Sequence, residues 1–301
     1  MNSYETITNR IIAQLESGVI PWRKDWASDG SNGLPKNKLT GKHYRGINVL
    51  SLLCSGYSGS EWLTYKQAQE MGGNVRKGET GTPIVFWSKW TRKGETPSES
   101  QDGDAGETGT TGPRGFLKQY YVFNLSQVDG LTSELPFDRP EFEPIDAAES
   151  IASRYLSATG PSLAHGGPRA FYRPSDDGVR MPDRSAFQSA HGYYSTLFHE
   201  LAHSTGHASR LDRKDGMENI TFGSKKYAAE ELLAEFGASF LCGEAGITND
   251  RLIENQAAYI SNWLDVLKGD NKVAIFAAQR AQKAADYILQ RSFAESESIA
   301  A

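Results

Sequence analysis

The sequence predicts an α+β protein of two domains: a mixed N-terminal domain built around a β-hairpin, and a mainly helical C-terminal domain with a small sheet. Its 301 residues are enough for two ordinary domains. Runs rich in aromatic and β-branched residues at 83–90 and 116–123 indicate two paired strands. In the second half, apolar residues recur with helical spacing. We therefore expect domains at 1–130 and 145–301, joined by a linker at 131–144.

Three short helices are predicted around this hairpin. The first spans 4–17 and has a single apolar face, formed by Ile7, Ile11, Ile12 and Leu15. The second spans 47–53, and a capping-box pattern at Thr64 and Gln67 predicts the start of the third.

Segment 93–115, between the two strands, contains Gly, Ser, Thr and acidic residues but no large apolar side chain. It cannot form a core, so we expect a disordered loop.

The C-terminal domain follows a linker that contains three prolines and no clear periodicity. Its first helix is predicted from 145 to about 159, and short strands are expected near 170–172 and 179–181. Two helices that carry the candidate metal ligands are predicted at 194–203 and 227–241. Two more helices complete the domain near 252–267 and 272–290.

The most informative motif is His-Glu-Leu-Ala-His at residues 199–203. It lies in a stretch without Pro or Gly and is soon followed by Gly206, the pattern of a helix and its end. Imidazoles four residues apart lie on one helical face, so His199 and His203 can bind one metal ion. Glu200 can then reach a metal-bound water and act as the catalytic base. The pattern predicts a zinc site; manganese or cobalt would also suit these ligands.

A third protein ligand is expected from the following helix. The metzincin pattern would require a third histidine at position 209, but Ser209 occupies it. Glu231 and Glu235 lie four apart on the predicted helix at 227–241. We predict that Glu231 binds the metal. Glu235 is predicted to hydrogen-bond a ligand imidazole without binding the metal itself. Glu230 and Glu235 are alternative ligands.

Charge and aromatic content suggest that the first domain binds nucleic acid. Residues 1–93 carry a net charge of +6, whereas the remainder carries −11. Five of the six tryptophans lie in the first ninety residues, interleaved with basic residues. Single-strand binders combine a positive groove with aromatic rings that stack on bases. The candidate contacts are Trp22, Arg23, Lys42, Tyr44, Arg45, Trp62, Tyr65, Lys66, Arg76 and Lys77. The alternative is that these aromatic residues belong to the hydrophobic core.

Other features favour a reducing cytoplasm. Cys54 and Cys242 are far apart in sequence, so no disulfide framework is expected. No apolar run is long enough to cross a bilayer, so we expect no membrane partner. The first residues also lack the apolar segment of a signal peptide.

Several long strings resemble one known family. In the first half they are PWRKDW, YRGINVLSL, WLTYKQAQEMGGNVRKGETGTPIVFW and YYVFNLSQVDGL. In the second half they are FYRPSDDGVRMPDRSAFQSAHGYYSTLFHELAHSTGHASRLDR and YAAEELLAEFGASFL. On these strings the chain resembles the ArdC-type antirestriction proteins of conjugative plasmids. The resemblance implies a single-stranded DNA-binding domain followed by a zincin-like metallopeptidase domain, with the metal residues carried over to His199, Glu200, His203 and Glu231.

Two functions are compatible with this resemblance, which also implies protection of incoming plasmid DNA from host restriction. In the first, the protein is a DNA-tethered zinc metallopeptidase that cleaves a host protein, with Glu200 as the base. Tyr193, Tyr194, His207 and Tyr227 are then candidates to stabilise the oxyanion. In the second, it is a non-catalytic shield on single-stranded DNA, and its metal site is structural or vestigial.

Overall fold

The first half of the chain is organised by a five-stranded sheet on which three helices pack. We describe a computed structural model, which covers residues 3–22, 34–57, 59–89, 99–100, 115–133, 144–213, 225–247, 249 and 256–291. The helices in this half are α1 (Ser3–Glu16), α2 (Ile47–Leu53) and α3 (Tyr65–Glu70). The strands are β1 (Lys36–Asn37), β2 (Glu61–Leu63), β3 (Asn74–Val75), β4 (Thr82–Lys89), β5 (Glu99–Ser100), β6 (Gly115–Asn124) and β7 (Val128–Asp129).

The predicted hairpin forms the centre of this sheet. Strand order is β1-β2-β6-β4-β5, and β4 and β6 pair antiparallel from Thr82 opposite Val122 to Lys89 opposite Gly115. A separate two-stranded sheet joins β3 to β7. The predicted loop at 93–115 is wrong at two residues, because 99–100 form strand β5 beside β4. The rest of that segment, apart from residue 115 at the start of β6, lies outside the described residues.

The second half is mainly helical and carries a three-stranded sheet. Its helices are α4 (Pro144–Ala158), α5 (Ala190–Ser204), α6 (Lys225–Ala245), α7 (Gln256–Gly269) and α8 (Val273–Leu289). Its strands are β8 (Ser162–His165), β9 (Phe171–Arg173) and β10 (Gly178–Met181). Strand β10 lies in the middle, parallel to β8 and antiparallel to β9. The α+β class is confirmed, whereas β8 was not predicted.

Helices α5 and α6 pack unusually closely where they cross. A side-chain carbon placed on Gly237 of α6 would lie 3.0 Å from the Cβ of Ala202 in α5. Small residues at both positions therefore allow the two backbones to approach. This contact fixes the distance between the helix with the His-Glu-Leu-Ala-His motif and the helix with the candidate glutamates.

One continuous hydrophobic core joins the two halves. It includes Ile7 and Ile11 of α1, Leu50 of α2 and Phe236 of α6, all buried. Polar contacts reinforce the junction. The Arg45 guanidinium pairs with Asp286, and Gly46 N–H donates to Gln282 Oε1 at 3.0 Å. The domain boundary at 131–144 stays a prediction, since most of that segment lies outside the described residues.

Two further expectations concern the whole chain. Cys54 and Cys242 are both buried and are not joined by a disulfide. Within the described residues, every helix is too short or too polar to cross a membrane.

The Arg45–Asp286 ion pair between the two halves predicts that Arg45→Met lowers the stability of the protein. The substitution removes the guanidinium that faces the Asp286 carboxylate, whose side chain is only 4% exposed. Loss of one partner of a buried ion pair should lower the free energy of unfolding by about 2–4 kcal/mol, measured by urea denaturation. Lys66→Met is the control, because Lys66 pairs with Glu70 in solvent, with side chains 85% and 51% exposed. Equal effects for the two variants would contradict a structural role for Arg45.

Candidate metal centre and nucleic-acid surface

Helix α5 places the predicted metal residues in the interior. Ser189 caps the helix, its side chain accepting the N–H of Gly192. Three turns later, His199 and Glu200 are buried at 1% and 4% exposure, and the His203 side chain is 14% exposed. Burial of several ionisable groups is costly unless they pair or bind a cation.

The two imidazoles and one carboxylate form a triangle of ligand atoms. His199 Nε2 lies 3.1 Å from His203 Nε2. Glu231 Oε2 lies 3.5 Å from His199 Nε2, and Glu231 Oε1 lies 3.4 Å from His203 Nε2. Ligands about 2.1 Å from a tetrahedral metal stand about 3.4 Å apart. The three residues therefore fit a single divalent metal, since one ligand atom from each lies within 4.8 Å of the others.

The charges of the cluster favour a cation at its centre. Burial raises the pKa of Glu231, but hydrogen bonds with His199 and His203 outweigh it and hold that pKa well below its usual value. Burial lowers the pKa of His203, but hydrogen bonds with Glu230 and Glu231 outweigh it and raise the pKa to about 10. The carboxylates thus favour positive charge on the imidazole, and the same field would stabilise a bound metal ion.

Two further carboxylates lie on the Nδ1 side of the imidazole rings. Glu235 Oε1 is 3.7 Å from His199 Nδ1, and Glu230 Oε1 is 3.4 Å from His203 Nδ1. Arg213 donates to Glu230 Oε1 at 2.8 Å. Carboxylates on Nδ1 orient the rings and leave Nε2 available for the metal. The structure places Glu235 on the Nδ1 side of His199 at 3.7 Å, longer than the hydrogen bond that the sequence predicted, and places Glu230, one of the alternative ligands, within 3.4 Å of His203 Nδ1.

Glu200 lies between α5 and the outer strand β9. Its Oε2 accepts the backbone N–H of Tyr172 at 2.9 Å. Asp177 accepts hydrogen bonds from Tyr172 and from Arg210, whose side chain is 1% exposed, and this network fixes the strand. Sequence reasoning missed these three residues because their role depends on strand placement. Tyr172 and Asp177 belong to the string FYRPSDDGV, but no spacing rule links that string to Glu200.

The proposed oxyanion donors are mostly engaged elsewhere. The Tyr193 hydroxyl lies 2.8 Å from His165 Nε2, and the Tyr194 hydroxyl donates to Glu149. The half-buried His207 contacts Ser209 through Nδ1. The described contacts therefore do not support Tyr193 or Tyr194 as an oxyanion donor.

Three of the predicted DNA contacts are buried, which corrects the sequence interpretation. Trp22, Tyr44 and Trp62 are 0%, 2% and 1% exposed. Trp22 packs against Phe236 of α6, and Trp62 packs edge-on against Tyr57. These rings cannot stack on bases in this conformation, because their faces are occupied by the core. The core alternative left open by the sequence is therefore right for all three.

The other predicted contacts differ in their exposure to solvent. Arg45 belongs to the junction described above, and Arg76 pairs with Glu79 and Asp129. Arg23 lies outside the described residues. Four predicted contacts are exposed, namely Lys42, Tyr65, Lys66 and Lys77.

The sequence also missed an exposed aromatic residue, Tyr121 of β6, which is 55% exposed. Phe123 lies two residues along the same strand and contacts the ring of Tyr65, with ring centroids 6.4 Å apart. Residues two apart on a strand project from the same face. Tyr65, at the start of α3, thus forms an aromatic row with Phe123 and Tyr121 of β6.

Two family models match this chain. Residues 1–123 match the family described as the N-terminal domain of anti-restriction factor ArdC. Residues 150–281 match the family described as zincin-like metallopeptidase.

Curated relatives include two proteins named DNA primase TraC from Escherichia coli. Each is 39% identical over 95% of this chain, but the chain spans only 20% and 27% of their lengths. The uncharacterized protein y4eC of Sinorhizobium fredii is 38% identical, with 95% of this chain and 91% of that protein covered.

Solved structures extend the similarity to the whole chain. The antirestriction ArdC protein of plasmid R388, crystallised metal-free, is 37% identical with a TM-score of 0.74, covering 96% of this chain and 97% of that one. Its Mn(II)-bound structure has a TM-score of 0.73, with 96% and 98% covered. The fold, the two family matches and the near-complete coverage establish that this chain belongs to the ArdC family of antirestriction proteins.

Proposed function

We propose that this protein binds single-stranded DNA and hydrolyses a host protein at a divalent-metal centre, and so protects incoming plasmid DNA from restriction. The observation that carries the peptidase proposal is the triangle of His199, His203 and Glu231 with Glu200 beside it. A purely structural metal site has no use for a carboxylate in the position of Glu200. We place this activity in the cytoplasm of the recipient bacterium, where entering DNA meets restriction enzymes.

The reaction we propose is hydrolysis of a peptide bond by water. A bound divalent metal supplies polarisation of the scissile carbonyl and acidification of a water molecule. His199, His203 and Glu231 would hold this metal. Glu200 takes the proton from the attacking water and passes it to the leaving amine. The Tyr172 N–H holds the Glu200 carboxylate in place before substrate binds.

Zinc is the metal that we propose, with manganese or cobalt as alternatives. Two imidazoles and a carboxylate are ligands found in catalytic zinc sites. The same ligand set also accepts Mn²⁺ or Co²⁺, because donor type alone does not select the metal. The R388 relative was crystallised with Mn(II), which supports a divalent ion without selecting zinc.

For the DNA we propose the aromatic row as the stacking surface. Gly81 lies beneath it, since a side-chain carbon there would stand 3.0 Å from Tyr121 Cβ and 3.2 Å from Phe123 Cζ. The Phe123 ring and the Tyr121 Cβ therefore lie close to the backbone at Gly81. Stacking of a base on an aromatic ring contributes about 1–3 kcal/mol and tolerates any sequence. Lys66, next to Tyr65 and 85% exposed, pairs with Glu70 in solvent, a weak contact that a phosphate can replace. Two relatives are named DNA primases, which also favours a DNA partner.

The metal site predicts a distinct pattern of metal loss among α6 variants. Wild type should bind about one divalent ion per chain by elemental analysis, and Glu231→Ala should lose it, because a ligand is removed. Glu235→Ala should keep metal with an affinity about 10–100-fold weaker, since it removes only the support of His199. Glu244→Ala, on the same helix but paired with Arg291, is the control and should match wild type. A metal-free Glu235→Ala beside a loaded Glu231→Ala would exchange their roles.

The peptidase proposal predicts that Glu200→Gln abolishes protection without loss of metal or DNA binding. The amide keeps the size of the side chain but cannot accept the water proton, so hydrolysis should fall about 10²–10⁴-fold. Protection is scored as transfer of an unmodified plasmid into a restricting host. Metal content and single-strand affinity, measured on the same preparation, serve as internal controls. Full protection by this variant would instead support the non-catalytic shield.

The DNA surface predicts that Tyr121→Ala and Tyr65→Ala weaken binding to a fluorescent single-stranded oligonucleotide. Loss of one stacked base should cost about 1–3 kcal/mol, or about 5–150-fold in Kd. Phe276→Ala is the matched control, because Phe276 is an aromatic residue on α8 that is 36% exposed. Wild type that fails to bind would refute single-strand binding, whereas binding that survives both tyrosine variants would refute only this surface.

A further inference from the structure

Trp22 connects the N-terminal half of the chain to the metal cluster. Its indole ring is fully buried, with centroids 4.9 Å from Phe236 of α6 and 5.2 Å from Trp263 of α7. Its backbone carbonyl accepts a hydrogen bond from Asn249 Nδ2 at 3.1 Å. The ring is thus held by edge-on aromatic contacts and the backbone by a side chain from the second half, which fixes the direction of the indole N–H.

That N–H is directed at a carboxylate of the metal site. Trp22 Nε1 donates to Glu235 Oε2 at 3.3 Å. The other oxygen of the same group, Oε1, lies 3.7 Å from His199 Nδ1. Glu235 is 1% exposed, so water contributes little to holding this carboxylate. One carboxylate therefore faces an indole from the first half and an imidazole from the motif helix.

The orientation of His199 determines whether its Nε2 can reach a metal. A carboxylate on Nδ1 fixes the tautomer and the ring plane and increases the basicity of the ligand nitrogen. That effect depends on the rotamer of the carboxylate itself. A donor on the second oxygen of Glu235 selects the rotamer in which the first oxygen faces His199.

We infer that Trp22 is a positioning residue of the metal centre, acting through Glu235 on His199. The inference rests on the proposed metal site and adds to it a contribution from the N-terminal half of the chain. A tryptophan that composition assigns to DNA stacking thus belongs to the support of the metal ligands.

The test is the metal affinity of the full-length Trp22→Phe variant. Phenylalanine keeps an aromatic ring between Phe236 and Trp263 but removes the N–H. Zn²⁺ affinity is measured by competition with a chromophoric chelator, and visible absorption is recorded for the Co²⁺-loaded protein. We expect metal binding to weaken about 10-fold or more, with an altered Co²⁺ spectrum.

Trp62→Phe is the matched control. Trp62 is 1% exposed, and its indole nitrogen has no hydrogen-bond partner among the described residues. The same Trp-to-Phe change there should leave metal affinity within twofold of wild type. If Trp22→Phe also stays within twofold, or if both variants weaken binding equally, the inference is overturned.

A double-mutant cycle with Glu235→Gln tests whether Trp22 acts on His199 through Glu235. If Trp22 acts through Glu235, the double variant binds metal no more weakly than Glu235→Gln alone. Independent, additive losses would refute an action through Glu235.

Should Trp22→Phe not fold, benzothienylalanine at position 22 replaces the N–H by sulfur while keeping the bicyclic shape. Wild type that binds no metal would refute the proposed centre itself, whereas metal-binding wild type with a normal Trp22→Phe refutes only this inference.

Discussion

The structure of the site depends on the close approach of α5 and α6. Ala202 and Gly237 bring the two backbones together, and only at that distance can Glu231 face both His199 and His203. A larger residue at position 237 would separate the helices and withdraw the carboxylate from the imidazoles. The small residues are therefore as much a requirement of the site as the ligands themselves.

The same packing concentrates charge in the interior. His199, Glu200, Glu230, Glu231 and Glu235 are all less than a tenth exposed. Such a cluster is costly to bury and is not expected from folding alone. Its internal pairing offsets part of the cost, with Arg213 neutralising Glu230 at one side. A divalent cation between the imidazoles and Glu231 would offset more. The same buried charges that are costly for folding thus favour the binding of a divalent cation.

Sequence reasoning succeeded where spacing determines geometry. The i, i+4 relation within one helix brings His199 beside His203 whatever the remainder of the fold does. It was weaker for Glu230, Glu231 and Glu235, because the rotation of α6 against α5 decides which carboxylate faces Nε2 and which faces Nδ1. That rotation depends on tertiary packing and is not encoded in a local pattern.

For the aromatic residues of the first half, sequence patterns did not predict which side chains are buried. Composition could not distinguish a tryptophan that stacks on bases from one that fills a core, and Trp22 and Trp62 proved to be buried. Tyr121 was missed for a related reason. Its exposure depends on which face of β6 meets the helices, and the register with β4 sets that face.

The shared core has a consequence for how genes of this family can recombine. Because α1 and Trp22 lie in the same core as α6 and α8, either half alone would present a broad apolar face and tend to aggregate. Genetic exchange should therefore preserve the pair. The match to the two primases fits this expectation, since it covers 95% of this chain yet only 20% and 27% of theirs. In both of these longer relatives the two halves therefore occur together.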